Sequence, residues 1–182
     1  SSFDIDLILN LFRDKKIDKK RIIVHNGYKT DDYLQKIVHL HELGFRNVIV
    51  VLDSMEELKR LMHFAGSNKI KIGLRMAINE EAQSAYYTSR LGISESKLPD
   101  FVEKVILPNP QMELKMLHFF VDTGIKDSQY YWSELRKAVK LYCELKMICP
   151  SLKAINIGGG MPIRNSLGFE FDYKYMIKEI IN

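Results

Sequence analysis

Val48-Ile49-Val50-Val51-Leu52 restricts this chain most, because five consecutive apolar residues, four of them β-branched, cannot alternate between a wet and a dry face. A strand of that kind is buried on both sides, which is the habit of parallel sheets, and parallel strands need helical crossovers to return the chain. The flanking sequence supplies them. Arg21 to His25 reads as a strand, and Asp31 to Leu43 carries Tyr33, Leu34, Ile37, Val38, Leu40 and His41 at helical spacing up to Gly44. Ser54 and Glu57 have the spacing of a capping box that opens a helix to about Phe64. Ile70 to Ala77 and Leu114 to Val121 are further apolar strands, separated by a polar stretch, Asn79 to Ser94, and a helix, Glu95 to Ile106. A long helix from Gln129 to Met147 presents Tyr131, Leu135, Ala138, Val139, Tyr142 and Leu145 on one face. Ala154 to Ile157 reads as a short buried strand, and Tyr173 to Ile181 as a last helix. Five strands alternating with helices predict parallel βα units, hence an α/β sheet or barrel.

The bulk numbers narrow the partners. At 182 residues and 46% apolar content, one domain with a real core is expected. The 27 basic residues are offset by 23 acidic ones, and the densest patch, Arg13 to Arg21, mixes signs, so no nucleic-acid surface is expected. No apolar run has the length of a membrane span and the start lacks a secretory layout, which predicts a cytoplasmic protein that does not engage membranes. Cys143 and Cys149 form no C-x-x-C pair and read as reduced core thiols. His39 and His41 lie two apart on a helix, face different sides and make a poor chelate, so no metal site is expected there.

Chemistry concentrates where strands end. In Asn156-Ile157-Gly158-Gly159-Gly160 a strand runs into three glycines, whose backbone N–H groups can approach an anion because no Cβ intervenes; the alternative is a flexible turn. Arg75 lies inside an apolar strand and therefore needs a partner, either a ligand or a structural carboxylate. His118 and Phe120 share a strand face by the two-residue period.

Asn26-Gly27-Tyr28-Lys29, Gly73-Leu74-Arg75-Met76, Ser89-Arg90-Leu91-Gly92-Ile93-Ser94, Leu117-His118-Phe119 and Ile157-Gly158-Gly159-Gly160 occur on successive elements. In that order they resemble the barrel of the pyridoxal-phosphate-dependent decarboxylases of basic amino acids, the group that includes the ornithine, diaminopimelate and biosynthetic arginine decarboxylases. The resemblance implies an incomplete (β/α)8 TIM barrel over residues 1–182, with Ser1-Ser2 closing the second strand and the five strands being the third to seventh. The Schiff-base lysine strand, the last strand and a C-terminal β-domain would then lie outside the chain. It also implies pyridoxal 5'-phosphate as cofactor, an amino acid as substrate and a homodimer. Gly158, Gly159 and Gly160 would hold the cofactor phosphate, with Thr123 at the position of a family serine. Arg75 would face the cofactor, and Phe120 would stand where the family has a ring-stacking histidine. His118 would border the same site, although a satisfied core histidine describes it as well.

Asn26-Gly27-Tyr28-Lys29 looks most like the arginine branch, so arginine to agmatine, a step of polyamine biosynthesis, is the expected reaction, with ornithine or a related amino acid as the alternative. Phe120, and Asp122 where a glycine is usual, motivate a non-catalytic homologue that binds a protein partner; another phosphate-binding barrel enzyme is a third possibility. Three expectations follow. Arg75, His118 and Asn156 should point inward from strands adjacent in chain order. Gly159→Val should block cofactor approach and restrict φ. The chain alone should not decarboxylate, because Lys29, the nearest challenger for the family lysine, reads as a charged loop residue with no desolvation to activate it.

Overall fold

The structure, a computed structural model, describes residues 1–78, 91–121, 128–159 and 170–181. Helix α1 (Ser2–Arg13) leads to β1 (Ile23–His25), α2 (Asp31–Glu42), β2 (Val48–Leu52), α3 (Met55–Ala65) and β3 (Ile70–Arg75). Helix α4 (Leu98–Phe101) is preceded by a 3-10 turn (Glu95–Lys97) and continued by a π-helical turn (Val102–Ile106). Then come β4 (Met112–His118), α5 (Ser128–Ile148), β5 (Ala154–Asn156) and α6 (Tyr173–Ile181). The sheet runs β1-β2-β3-β4-β5 with every neighbouring pair parallel. Strand order never reverses, so the helices gather on one face and the sheet curls into a half-barrel.

Burial separates the two faces. Val48, Val50, Leu52, Ile70, Ile72, Leu74, Leu114 and Leu117 join the helix-side core with Leu34, Ile37, Leu61, Tyr131 and Leu141. Each such side chain contributes roughly 1.5–3 kcal/mol by leaving water. The opposite, inner face holds a smaller cluster, Ile49, Val51 and Met116, flanked by Val24 and Ala154. Gly73 belongs to that layer, and a Cβ there would come within 2.9 Å of Val51 Cγ2. These residues form a floor beneath the C-terminal ends of the strands.

Several expectations need correction. Between the pairs Ile72↔Leu114 and Gly73↔Met116, β4 carries one extra residue, Lys115. This bulge breaks simple alternation: Leu114 faces the helices while Met116, two residues on, faces inward. β5 is half-exposed rather than buried, because it is an edge strand with a neighbour on one side among the described residues. On α5 the core takes Leu141 beside Tyr131, Leu135, Ala138 and Leu145, whereas Val139 is exposed. Cys149 is buried, but Cys143 is exposed and is no core thiol. The uniform helix expected over 95–106 is irregular: Pro99, in the first turn, needs no hydrogen bond, and the Leu107 N–H reaches back to Val102 O. Ser54 Oγ does accept from Glu57 N–H at 3.2 Å, yet the Glu57 carboxylate does not return to Ser54; it turns to Asp53 and Lys29.

Candidate functional site at the strand mouth

At the C-terminal end of the parallel strands, the register sets Arg75 opposite His118 and His118 opposite Asn156. All three continue the row that begins with Gly73, Met116 and Ala154, so they share the inner face, as expected. Asp53, the residue after β2, joins them: its Oδ1 lies 3.6 Å from Arg75 Nη1. The side chains are 3% and 10% exposed, so the buried guanidinium has the counter-charge its position demanded. Among the described residues neither Asp53 carboxylate oxygen has a hydrogen bond.

The rest of the mouth packs around Arg75. Its guanidinium carbon lies 5.8 Å from the Phe120 ring centroid, a cation over an aromatic face. His118 donates from Nδ1 to the Asn156 carbonyl at 3.0 Å; burial draws its pKa below the usual histidine value against the pull of that bond, which favours the neutral ring. Gly158 has φ +72°, and a Cβ there would lie 2.8 Å from both Phe119 O and Phe120 Cδ2. Only glycine fits. Gly159 differs: its φ is not left-handed, and among the described residues its Cβ would meet only Phe120 Cε2, at 3.8 Å. The φ restriction expected at Gly159 is found at Gly158 instead. The Gly158 N–H is also not bare, because Asn156 Oδ1 accepts from it at 2.9 Å. Gly160 and Thr123, and with them Asp122, lie outside the described residues.

Main-chain bonds hold the mouth together. Gly92 N–H donates to Asp53 O at 2.8 Å, and Ile93 N–H donates to Arg75 O at 2.7 Å. Gly92 has φ +106°, and a Cβ would stand 2.7 Å from Ala77 N, so the backbone of that segment lies directly against the end of β3.

Lys29 corrects the sequence reading outright. It is 0% exposed. Its ammonium donates to Val51 O at 2.5 Å and Gly27 O at 2.6 Å, and lies 3.3 and 3.4 Å from the two Glu57 oxygens. Desolvation lowers its pKa from the ordinary lysine value, while Glu57 and Asp53 pull it back. An amine enclosed by acceptors is a structural cation, and no free nucleophile. One sequence signal points to this partner: Glu57, at the capping position of α3, is a carboxylate with a second oxygen to offer. Arg60 closes the rim above, donating to Lys29 O at 2.9 Å and Asp31 Oδ1 at 2.6 Å, and lying over the exposed Tyr28 ring. Among the described residues no group of His, Cys, Asp and Glu could hold a metal.

The mouth thus offers a fixed cation, a flat ring, a neutral imidazole and a glycine backbone, a surface suited to a flat anionic molecule. Comparison with known proteins identifies the family. Residues 4–181 match the family described as pyridoxal-dependent decarboxylase, pyridoxal binding domain. Biosynthetic arginine decarboxylase 2 of Synechocystis sp. is 28% identical over 153 residues, 79% of this chain and 23% of the relative. The biosynthetic arginine decarboxylase of Phocaeicola vulgatus is 25% identical over 179 residues, 91% of this chain and 28% of its own length. The chain thus spans about a quarter of the curated relatives it matches. Among solved structures, lysine decarboxylase from Selenomonas ruminantium superposes with a TM-score of 0.73 at 17% identity, over 99% of this chain and 44% of that one. The biosynthetic arginine decarboxylase of Campylobacter jejuni gives 0.66 at 24%, over 90% and 29%.

Proposed function

Because the chain belongs to the pyridoxal-binding domain family of the pyridoxal-dependent decarboxylases, we propose that its strand mouth binds pyridoxal 5'-phosphate and serves the decarboxylation of a basic amino acid, arginine first. The observation that carries the reading is Gly158, held at φ +72° against Phe120 beside the Arg75 guanidinium. The residues fit the cofactor. A Cβ at Gly158 would fill the place where backbone meets ring, Phe120 offers an apolar face to a pyridine ring, and Arg75 offers positive charge to an anion. Gly158, Gly159, Gly160 and Thr123 are the proposed phosphate holders, Arg75 and Phe120 orient the ring, and His118 borders it as a neutral group. When bound, the cofactor supplies an electron sink for the carbanion left by departing CO2. The floor of Ile49, Val51 and Met116 closes the inner face below the mouth and excludes water from beneath it.

Arginine over ornithine is supported by the curated relatives and by Asn26-Gly27-Tyr28-Lys29. Residues 1–182 are proposed as part of the cofactor-binding barrel of a homodimeric, cytoplasmic enzyme, a reading that rests on the family resemblance; among the described residues no helix is long and apolar enough to cross a membrane. Phe120, where the family stacks a histidine, favours one second reading, a homologue that binds a protein partner without turnover. The test is equilibrium dialysis of the chain against pyridoxal 5'-phosphate, with CO2 release from carboxyl-labelled arginine, ornithine and lysine measured on the full-length protein. Saturable binding lost in Gly158→Ala, with arginine turned over fastest, is expected. Absence of cofactor binding refutes the reading, and binding without CO2 release selects the homologue.

A further inference from the structure

Asp53 is anomalous. Its carboxylate is 3% exposed, among the described residues neither carboxylate oxygen accepts a hydrogen bond, and Arg75 Nη1 stands 3.6 Å away, beyond hydrogen-bond reach. Leaving buried acceptors unmade costs about 1–3 kcal/mol, so a side chain in this position must be held by its backbone. The holders are visible. Glu57 Oε2 accepts from Asp53 N–H at 2.9 Å, and Gly92 N–H donates to Asp53 O at 2.8 Å. Glu57 is fixed in turn by Lys29, whose N–H donates to Oε1 at 3.1 Å and whose ammonium lies within 3.4 Å of both oxygens. Lys29 is itself anchored on the carbonyls of Gly27 and Val51, after β1 and within β2. A chain of fixed groups therefore runs from Lys29 through Glu57 and Asp53 to Arg75 and the Phe120 ring.

We propose that Lys29 and Glu57 are positioning residues for the mouth: they fix the Asp53 main chain so that its carboxylate faces Arg75 and keeps the guanidinium over Phe120. Neither need touch a ligand. A buried ion pair rarely adds net stability, so its use here is geometric, locking the β1–α2 and β2–α3 connections to each other. The inference rests on the proposed cofactor reading for the identity of the ligand alone.

The test uses the whole chain and two variants, Lys29→Met/Glu57→Gln, which removes both charges together, and Asp53→Asn, which keeps the Asp53 N–H. Arginine side-chain nitrogen NMR reads whether the Arg75 guanidinium is held, giving separate Nη signals, or rotates, giving one averaged signal. Titration with pyridoxal 5'-phosphate reads affinity. In both variants the Arg75 signals are expected to average and the Kd to rise about tenfold, the equivalent of one lost charge-positioning interaction. Combining the variants should weaken binding no further than Asp53→Asn alone, because the effects pass through one group. A merely structural pair would lower stability and move neither readout. A folded double variant with separate Arg75 signals and a Kd within about twofold of wild type overturns the proposal. If the double variant does not fold, Glu57→Gln alone replaces it, and Asp53→Asn with separate Arg75 signals is equally fatal. Failure of the wild-type chain to bind the cofactor would refute the functional reading instead, while the Arg75 signals still decide the positioning.

Discussion

Gly158→Ala against Gly159→Ala is the sharpest comparison, because adjacent glycines are assigned opposite sensitivities. At Gly158 the φ of +72° costs an L-residue about 1–2 kcal/mol. The new methyl would also meet Phe119 O at 2.8 Å, Phe120 Cδ2 at 2.8 Å and Phe120 Cα at 3.2 Å. Two of these, Phe119 O and Phe120 Cα, are backbone of the segment leaving β4 and cannot swing aside, so overpacking adds about 1–3 kcal/mol. The total is about 2–5 kcal/mol, a large share of an ordinary folding free energy. At Gly159 φ is not left-handed, and among the described residues the methyl would meet Phe120 Cε2 alone, at 3.8 Å, an ordinary van der Waals contact. There the substitution is expected to change stability by less than about 0.5 kcal/mol, or to stabilise slightly through the unfolded chain. Urea unfolding followed by circular dichroism measures both, with a midpoint shift of about 1–2 M for Gly158→Ala at constant slope. Equal costs at the two positions, or a neutral Gly158→Ala, would show that the described turn is not the one the protein uses.

Burial lowers the His25 pKa to about 4, with Nδ1 on Tyr33 Oη at 2.9 Å and Nε2 unpartnered. The unfolded chain binds more protons between about pH 6.5 and 4, so the stability His25 contributes is complete above about 6.5 and falls by about 3 kcal/mol as pH drops through that window; denaturation at pH 7 and 5 in wild type and His25→Gln tests it. Borohydride reduction with pyridoxal 5'-phosphate followed by peptide mapping should leave Lys29 unlabelled, because its ammonium is enclosed by Gly27 O, Val51 O and Glu57; stoichiometric labelling there, with CO2 release from arginine, would refute that enclosure. Phe120→Leu should keep the fold yet weaken cofactor binding by about 2- to 12-fold, the worth of an aromatic stack, and an unchanged Kd would remove Phe120 from the site.

The order and direction of the strands were legible because each is an apolar run bounded by helical periodicity, as in Val48–Leu52. The partner of Arg75 was legible in kind, since a charge inside a strand demands a counter-charge, but not in identity: Asp53 lies 22 residues earlier and is brought near only by strand pairing. Lys29 was misread for the same reason in reverse. Its acceptors include two carbonyls, and backbone oxygens carry no signature in a sequence. The inward direction of Arg75, His118 and Asn156 agreed with expectation, yet in β4 it depends on the extra residue Lys115, which alternation alone does not reveal. A triple glycine likewise says that backbone must come close somewhere, while which glycine bears the constraint depends on where the Phe120 ring packs.

The main-chain bonds around Gly92 also bear on how this mouth tolerates change. Ala77 N–H donates to Ile93 O at 2.9 Å and Ile93 N–H to Arg75 O at 2.7 Å, so the two ends of the stretch between residues 78 and 91 are stitched together at the rim. Because the donors and acceptors that tie Gly92 to Asp53 and Ile93 to Arg75 are backbone atoms, a side-chain substitution at Asp53, Arg75 or Ile93 leaves both bonding groups in place.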